Sequence, residues 1–195
     1  MNLREHDHAD GMAVWLSTVD SDRLIDAADT KEQEIAFSLG VRCGLRSHEI
    51  LQVRPSDIVD TDAGTMLVIE HGKGDKYRET PIPSDLATMI QTAAEYGDSD
   101  ADAPIISVTS TRSLRRWVKR AADQLADETD DTRWRHLSTH DLRRTWATAL
   151  ADADVDPLLA LDWGGWNDLE TFLDHYKGAY SPEAQRRNRD KVAWL

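Results

Sequence analysis

In the stretch Ser138-Thr139-His140-Asp141-Leu142-Arg143-Arg144 an imidazole and a guanidinium stand three residues apart, which brings both side chains to the same point beside a helix. Thr139 can cap that helix, and the free N–H groups and positive dipole end of a helix start also favour an anion. The combination suits a phosphate. Arg144 is four residues from His140, so spacing alone leaves open which arginine turns inward. Arg46, in Gly44-Leu45-Arg46-Ser47-His48-Glu49, falls between two apolar helical stretches, where a long cation needs a partner. Glu49, one turn on, supplies one, and a purely structural Arg46–Glu49 pair fits the spacing as well as a ligand-binding one. Lys73 stands between two glycines in Gly72-Lys73-Gly74-Asp75-Lys76, on a loop tip able to reach a ligand held elsewhere or to sit in solvent. That loop is no phosphate-cradling P-loop, because the glycine spacing and the following Ser or Thr are missing.

Helical periodicity supplies most of the frame that must position these groups. Leu142, Trp146 and Leu150 recur every four residues and give the helix over 141–151 one apolar face. Ser17 or Thr18 caps a helix with Leu24, Ile25 and Ala28 inward. The preceding Ala13-Val14-Trp15-Leu16 is read as the lead-in to that helix, and residues 1–13 as a mobile tail. A second helix over 31–43 carries Ile35, Leu39 and Cys43 on one stripe and stops at Gly44. A short helix with Ile50, Leu51 and Val53 then runs to Pro55. Residues 66–69 and 78–82 are β-prone, with the glycine-rich loop between them as a hairpin connection. Helices follow over 84–96, 111–126 and 157–163, then from a cap at Asn167 to Tyr176, and last over 181–195. The fold class is mainly α with a small antiparallel β-sheet.

The helix over 111–126 has the clearest two-sided pattern. Leu114, Trp117, Val118, Ala121, Ala122 and Leu125 make its apolar face, and Arg112, Arg115, Arg116, Lys119 and Arg120 occupy the rest. These cations either balance neighbouring acids or face DNA, on phosphates and guanine edges. The whole chain argues the other way: 195 residues carry a net charge of −13, and an acidic protein repels a phosphate backbone. Abundant loop aspartates suggest a salt-rich cytoplasm, where screening over about 3 Å at 1 M mutes that repulsion. No apolar run of membrane-spanning length and no apolar N-terminal signal is present, so a cytoplasmic chain with no membrane partner is expected. The lone Cys43 suits a reducing compartment.

Taken in order, Gly-Leu-Arg46-x-x-Glu49, Gly-Lys73-Gly-x-Lys, His140-x-x-Arg143, Trp166 and Tyr176 resemble the motif series of the tyrosine recombinases, or phage integrases, over roughly 15–180. The resemblance implies a mostly helical catalytic domain, here 14–180. It also implies Arg46 and Arg143 as phosphate clamps, Lys73 as general acid, His140 as acid/base, Trp166 at the His-or-Trp position and Tyr176 as nucleophile. Glu49 would support the site, and Arg144 would stand outside the innermost shell. The implied reaction is DNA cleavage and rejoining through a 3′-phosphotyrosine, which stores the bond energy, so no metal, ATP or other cofactor is expected. Double-stranded DNA is the implied partner. The terminal segment, 181–195, would pack on a neighbouring copy, giving a homo-oligomer on DNA.

The sequence departs from the family in two ways. Only about a dozen residues precede the catalytic portion, so a separate protein would supply a DNA clamp. The interval from Trp166 to Tyr176 is one residue longer than usual, and Tyr180 is a second candidate behind the preferred Tyr176. Competing readings are a type IB topoisomerase, a catalytically idle DNA-binding regulator derived from an integrase, and a metal hydrolase using His136, His140 and His175. The last leaves Arg46, Lys73 and Arg143 without a role.

Overall fold

A computed structural model describes residues 1–5, 12–70, 77–97, 100–176 and 182–194. Two short sheets and nine helices make up the described elements. Strands β1 (Asn2–Glu5) and β2 (Met12–Trp15) pair antiparallel, Leu3 opposite Val14. The segment expected as a tail thus contains a strand, and the expected lead-in to the first helix is its partner. Helix α1 (Thr18–Asp26) starts cleanly at Ser17, whose hydroxyl accepts from the Asp20 N–H while the Asp20 carboxylate reaches back, a reciprocal cap. His6-Asp7-His8 lies outside the described residues.

Helix α2 (Lys31–Cys43) is the structural axis. Thr30 caps its start and Gly44, at φ 66°, ends it in the left-handed conformation. Ile35, Leu39 and Cys43 pack towards one apolar cluster, while Phe37 and Val41 pack towards a second. Burial on nearly every side explains why the helix reads as apolar beyond a single stripe. Helix α3 (Ser47–Ile50) follows, then a 3-10 turn at Pro55–Asp57. Strands β3 (Ile58–Thr61), β4 (Gly64–Ile69) and β5 (Arg78–Pro81) form an antiparallel sheet with β4 central and Leu67 opposite both Ile58 and Thr80. β3 adds a strand to the two expected from sequence.

Helices α4 (Ser84–Tyr96) and α5 (Thr111–Thr129) cover the sheet and α2. α5 runs past its expected end into the acidic stretch and closes on Asp130 at φ 52°, an aspartate taking the left-handed cap often given to glycine. After a 3-10 turn at Thr132–His136, helix α6 (Thr139–Asp152) crosses α2 so closely that a Cβ on Gly40 would come within 2.8 Å of Leu142. Helices α7 (Pro157–Gly164) and α8 (Leu169–Tyr176) pack on α6 through Trp146, Ala147, Ala160, Trp166 and Phe172. Helix α9 (Pro182–Arg189) ends well before 195, and Trp194 beyond it is 83% exposed. Arg187, Asn188 and Lys191 all reach Asp154, at the end of α6. Among the described residues no helix is long and apolar enough to cross a membrane.

Candidate active site

Of the residues singled out by type and spacing, Arg46, Glu49, His140, Arg143 and Trp166 come together where α2, α6 and α7 end or begin. Gly44 must turn sharply beneath Trp146, whose ring a Cβ there would overlap at 2.2 Å. That turn delivers Arg46 to the position preceding α3. The Arg46 main-chain N–H donates to Glu49 Oε2 at 2.7 Å, its Nη1 donates to Oε1 at 3.0 Å, and its Nη2 donates to the Gly165 carbonyl at 3.0 Å. Glu49 is 2% exposed. Burial alone would raise its carboxyl, but hydrogen bonds and charge from Arg78, with those of Arg46, outweigh it and hold the group at about 2.

Of the two arginines that spacing left open, Arg143 turns inward. It is 3% exposed, with Nη1 on the Gly44 carbonyl and Nη2 on the Gly164 carbonyl, both at 2.5 Å, and its guanidinium carbon 3.9 Å from the centre of the Trp166 ring. Burial pushes its pKa down, and the nearby Arg46 adds to this while Glu49 opposes it. Trp166 is held in turn by a stacked Trp146 at 6.0 Å and an edge-on Phe172 at 4.9 Å. Arg144 pairs with Asp141 at 2.7 Å.

Asp141 has more than one task. With Ser138 it forms the reciprocal cap of α6, so Ser138 rather than Thr139 is the cap. It also accepts the Val14 N–H at 3.2 Å, and Thr145 accepts the Leu16 N–H at 3.0 Å, which ties β2 to the helix bearing His140 and Arg143. Thr139 instead receives a hydrogen bond from the Ser47 hydroxyl at 3.1 Å. A cleft of about 350 Å³ opens above these groups, lined by Arg46, Ser47, His48, Thr111, Arg115, Thr139, His140 and Arg143. Three guanidinium groups, two imidazoles and the starts of α5 and α6 around one opening favour an anion.

Lys73 and Tyr180 lie outside the described residues, as does the side chain of Tyr176, whose backbone ends α8. The five cations of α5 separate by partner. Lys119 pairs with Asp123 at 2.6 Å and Arg120 with Asp29 at 3.2 Å. Arg116 bonds the Ser113 hydroxyl at 3.3 Å, Arg112 is exposed near the helix start, and Arg115 borders the cleft. Among the described residues no group of three His, Cys, Asp or Glu is placed to hold a metal. His136 is exposed, and the His175 side chain lies outside the described set.

One residue of the site escaped the sequence reading. Arg78 is 7% exposed and donates to both Glu49 oxygens and to the Trp163 carbonyl. Strand alternation carried the signal: Arg78 shares its face with Thr80 and Ile82, both buried, and a buried cation demands an acid.

A largely helical domain with small antiparallel sheets is the architecture shared with solved tyrosine recombinase catalytic domains. The chain matches the phage integrase family over residues 15–181 and belongs to it. It is 30% identical over 160 residues to the tyrosine recombinase XerC of Corynebacterium efficiens, covering 74% of this chain and 47% of that protein. The crystal structure of XerA recombinase superposes with a TM-score of 0.72 at 20% identity, over 91% of this chain and 64% of that one. XerH site-specific recombinase bound to palindromic difH substrate superposes with a TM-score of 0.68 at 17% identity, over 92% and 52%. The chain spans about half the length of the curated relatives it matches.

Proposed function

We propose that this chain breaks and rejoins DNA strands at specific sites through a covalent 3′-phosphotyrosine. The observation that carries the reading is the convergence of Arg46, His140 and Arg143, from two distant parts of the sequence, on one cleft. Charge on a phosphodiester's nonbridging oxygens grows as an attacker approaches, and paired guanidinium forks stabilise it most at that moment. The Tyr176 oxygen attacks phosphorus and the bond to the 5′ oxygen breaks. The phenol proton passes to His140, and Lys73 protonates the leaving 5′ oxygen. A phenol of ordinary pKa near 10 must be favoured by roughly 4 kcal/mol to react near neutrality, and neighbouring cations supply that. The free 5′ hydroxyl of a second strand then reverses the step, so neither metal nor ATP enters the reaction.

Double-stranded DNA is the partner, held by Arg115 at the cleft and by Arg112 and Arg116 along α5. Lys119 and Arg120 join them when salt or phosphate displaces Asp123 and Asp29. The terminal segment, 181–195, packs on a neighbouring copy in the DNA-bound oligomer, in a salt-rich cytoplasm. The test is a nicked suicide duplex in high KCl. The wild type and Tyr180→Phe are expected to leave a protein–DNA adduct on denaturing gels, and Tyr176→Phe none. DNA binding without any adduct would instead identify an idle regulator.

A further inference from the structure

Arg78 sits behind the cleft rather than on it. Its guanidinium spans Glu49, Nη1 to Oε1 at 2.9 Å and Nη2 to Oε2 at 2.7 Å, and its Nε donates to the Trp163 carbonyl at 3.0 Å. This is the two-pronged match of a planar fork to a carboxylate. Arg46 meets the same two oxygens from its own side, through its main-chain N–H and Nη1. Glu49 therefore accepts four N–H donors, about its full capacity. The side chain of Arg46 is 18% exposed and borders the cleft, whereas that of Arg78 is 6% exposed and does not.

Charge separates the two roles further. A lone Glu49 would neutralise Arg46 outright and leave Arg143 to meet the phosphate without a second clamping arginine. With Arg78 sharing the carboxylate, the three side chains keep a net positive charge, and it faces outward through Arg46. A deep, nearly fixed cation also restrains the carboxylate from which Arg46 hangs. The end of α7 braces the arrangement: its successive carbonyls at Trp163, Gly164 and Gly165 accept from Arg78, Arg143 and Arg46 respectively.

We propose that Arg78 is a positioning residue for strand cleavage: by clamping Glu49 against the end of α7, it holds Arg46 at the scissile phosphate with its positive charge unspent. The inference rests on the DNA-cleaving reading above and adds to it a residue outside the cleft. The groups facing Glu49 are Arg46, Arg78 and, at longer range, Arg143, with Arg54, Asp57 and Glu70 around the smaller cavity behind it. Arg78 is the largest influence keeping Glu49 ionised against burial.

The experiment measures single-turnover adduct formation at saturating nicked duplex for the wild type, Arg78→Met, Arg78→Lys, Glu49→Gln and the Arg78→Met/Glu49→Gln pair. Arg78→Met is expected to slow the step about 10- to 100-fold, the usual size when a group that orients a primary contact is lost, with half-saturating DNA nearly unchanged. Arg78→Lys recovers part of the rate. Arg78→Met also gains an added acid limb, slowing more than the wild type does as pH falls from about 6 to 4, because Glu49 now takes a proton there. Glu49→Gln abolishes that limb, and the double variant is no slower than Glu49→Gln. An unchanged rate, additive losses, the absence of the limb, or loss of the fold in both Arg78 variants by circular dichroism would each overturn the proposal and leave Arg78 as scaffold. A wild type without adduct overturns the DNA-cleaving reading and this inference with it, whereas a wild-type adduct with unaffected Arg78 variants overturns this inference alone.

Discussion

Arg143 shows how a side chain can be both buried and primed. Two of its five N–H donors are committed to the Gly44 and Gly164 carbonyls, and the Trp166 face covers the guanidinium. These contacts fix the plane of the fork before any ligand arrives. A lysine offers one compact ammonium and cannot span both carbonyls while facing the cleft. Arg143→Lys is therefore expected to lower adduct formation about 10²- to 10³-fold, the typical cost of one lost transition-state donor. A loss below about threefold in single-turnover rate would show that the proposed clamp lies elsewhere. Glu49 makes a second expectation at this scale. Its folded pKa, about 2, lies below the ordinary 4.5, so its stabilising effect is fully present above about pH 4.5 and disappears as pH falls towards 2. Glu49→Gln should cost on the order of 3 kcal/mol at pH 7, and the gap from wild type should narrow in that acid window. Urea melts across pH check this; a gap equally wide at pH 7 and pH 3 would remove the carboxylate from the account.

The Gly164-Gly165 pair closes α7, with Gly165 as its left-handed cap, and the need for two glycines belongs to the packing. A Cβ on Gly164 would fall 1.7 Å from the Trp166 ring, and one on Gly165, at φ 63°, would meet Arg78 at 2.7 Å. Gly164→Ala should therefore displace Trp166 from Arg143 and Trp146, changing the near-ultraviolet circular dichroism and adduct formation together. An unaltered spectrum with full activity would mean the stack is not what holds Arg143. The long helices were read correctly because three or four apolar residues per two turns make a strong periodic signal. β1, β2 and β3 have four residues each, where alternation is a weak signal; β5, equally short, registered beside the glycine-rich hairpin loop. What binds β2 to α6 is the long-range bonding of Val14 to Asp141 and Leu16 to Thr145, which no local pattern encodes. The candidate site was legible in Arg46, Glu49, His140 and Arg143, which the fold gathers at one cleft, because motif spacing fixes their order along the chain. Arg78 was not, because its partners Glu49 and Trp163 lie far from it in sequence and only the fold unites them.

At the scale of the whole molecule, 36 acidic residues oppose 23 basic ones, yet the cleft collects arginines. The two facts are compatible if the acids lie mostly where they meet water, and many of the ion pairs are exposed: Arg120–Asp29, Lys119–Asp123 and Arg135–Asp127 all hold half-exposed side chains. Such pairs contribute about 0–1 kcal/mol each and weaken with salt. Repulsion among the excess carboxylates is screened by the same salt, from a reach of about 10 Å at 0.1 M to about 3 Å at 1 M. The buried Glu49–Arg78 and Arg46 network is hardly screened at all. Raising KCl should therefore relieve more repulsion than it removes attraction, and stability should rise by roughly 1–2 kcal/mol, or about 2–8 °C in Tm for a chain of this size. Adduct formation should survive the same salt if the proposed clamps, Arg46 and Arg143, act from beneath the surface, while DNA binding along α5 weakens with each phosphate contact released. Thermal melts in a KCl series, read beside adduct yield, decide the matter. A Tm that stays flat or falls from 0.1 to 1 M KCl would mean that self-repulsion is not what limits this acidic chain, and the salt-rich cytoplasm inferred from its charge would lose its physical basis.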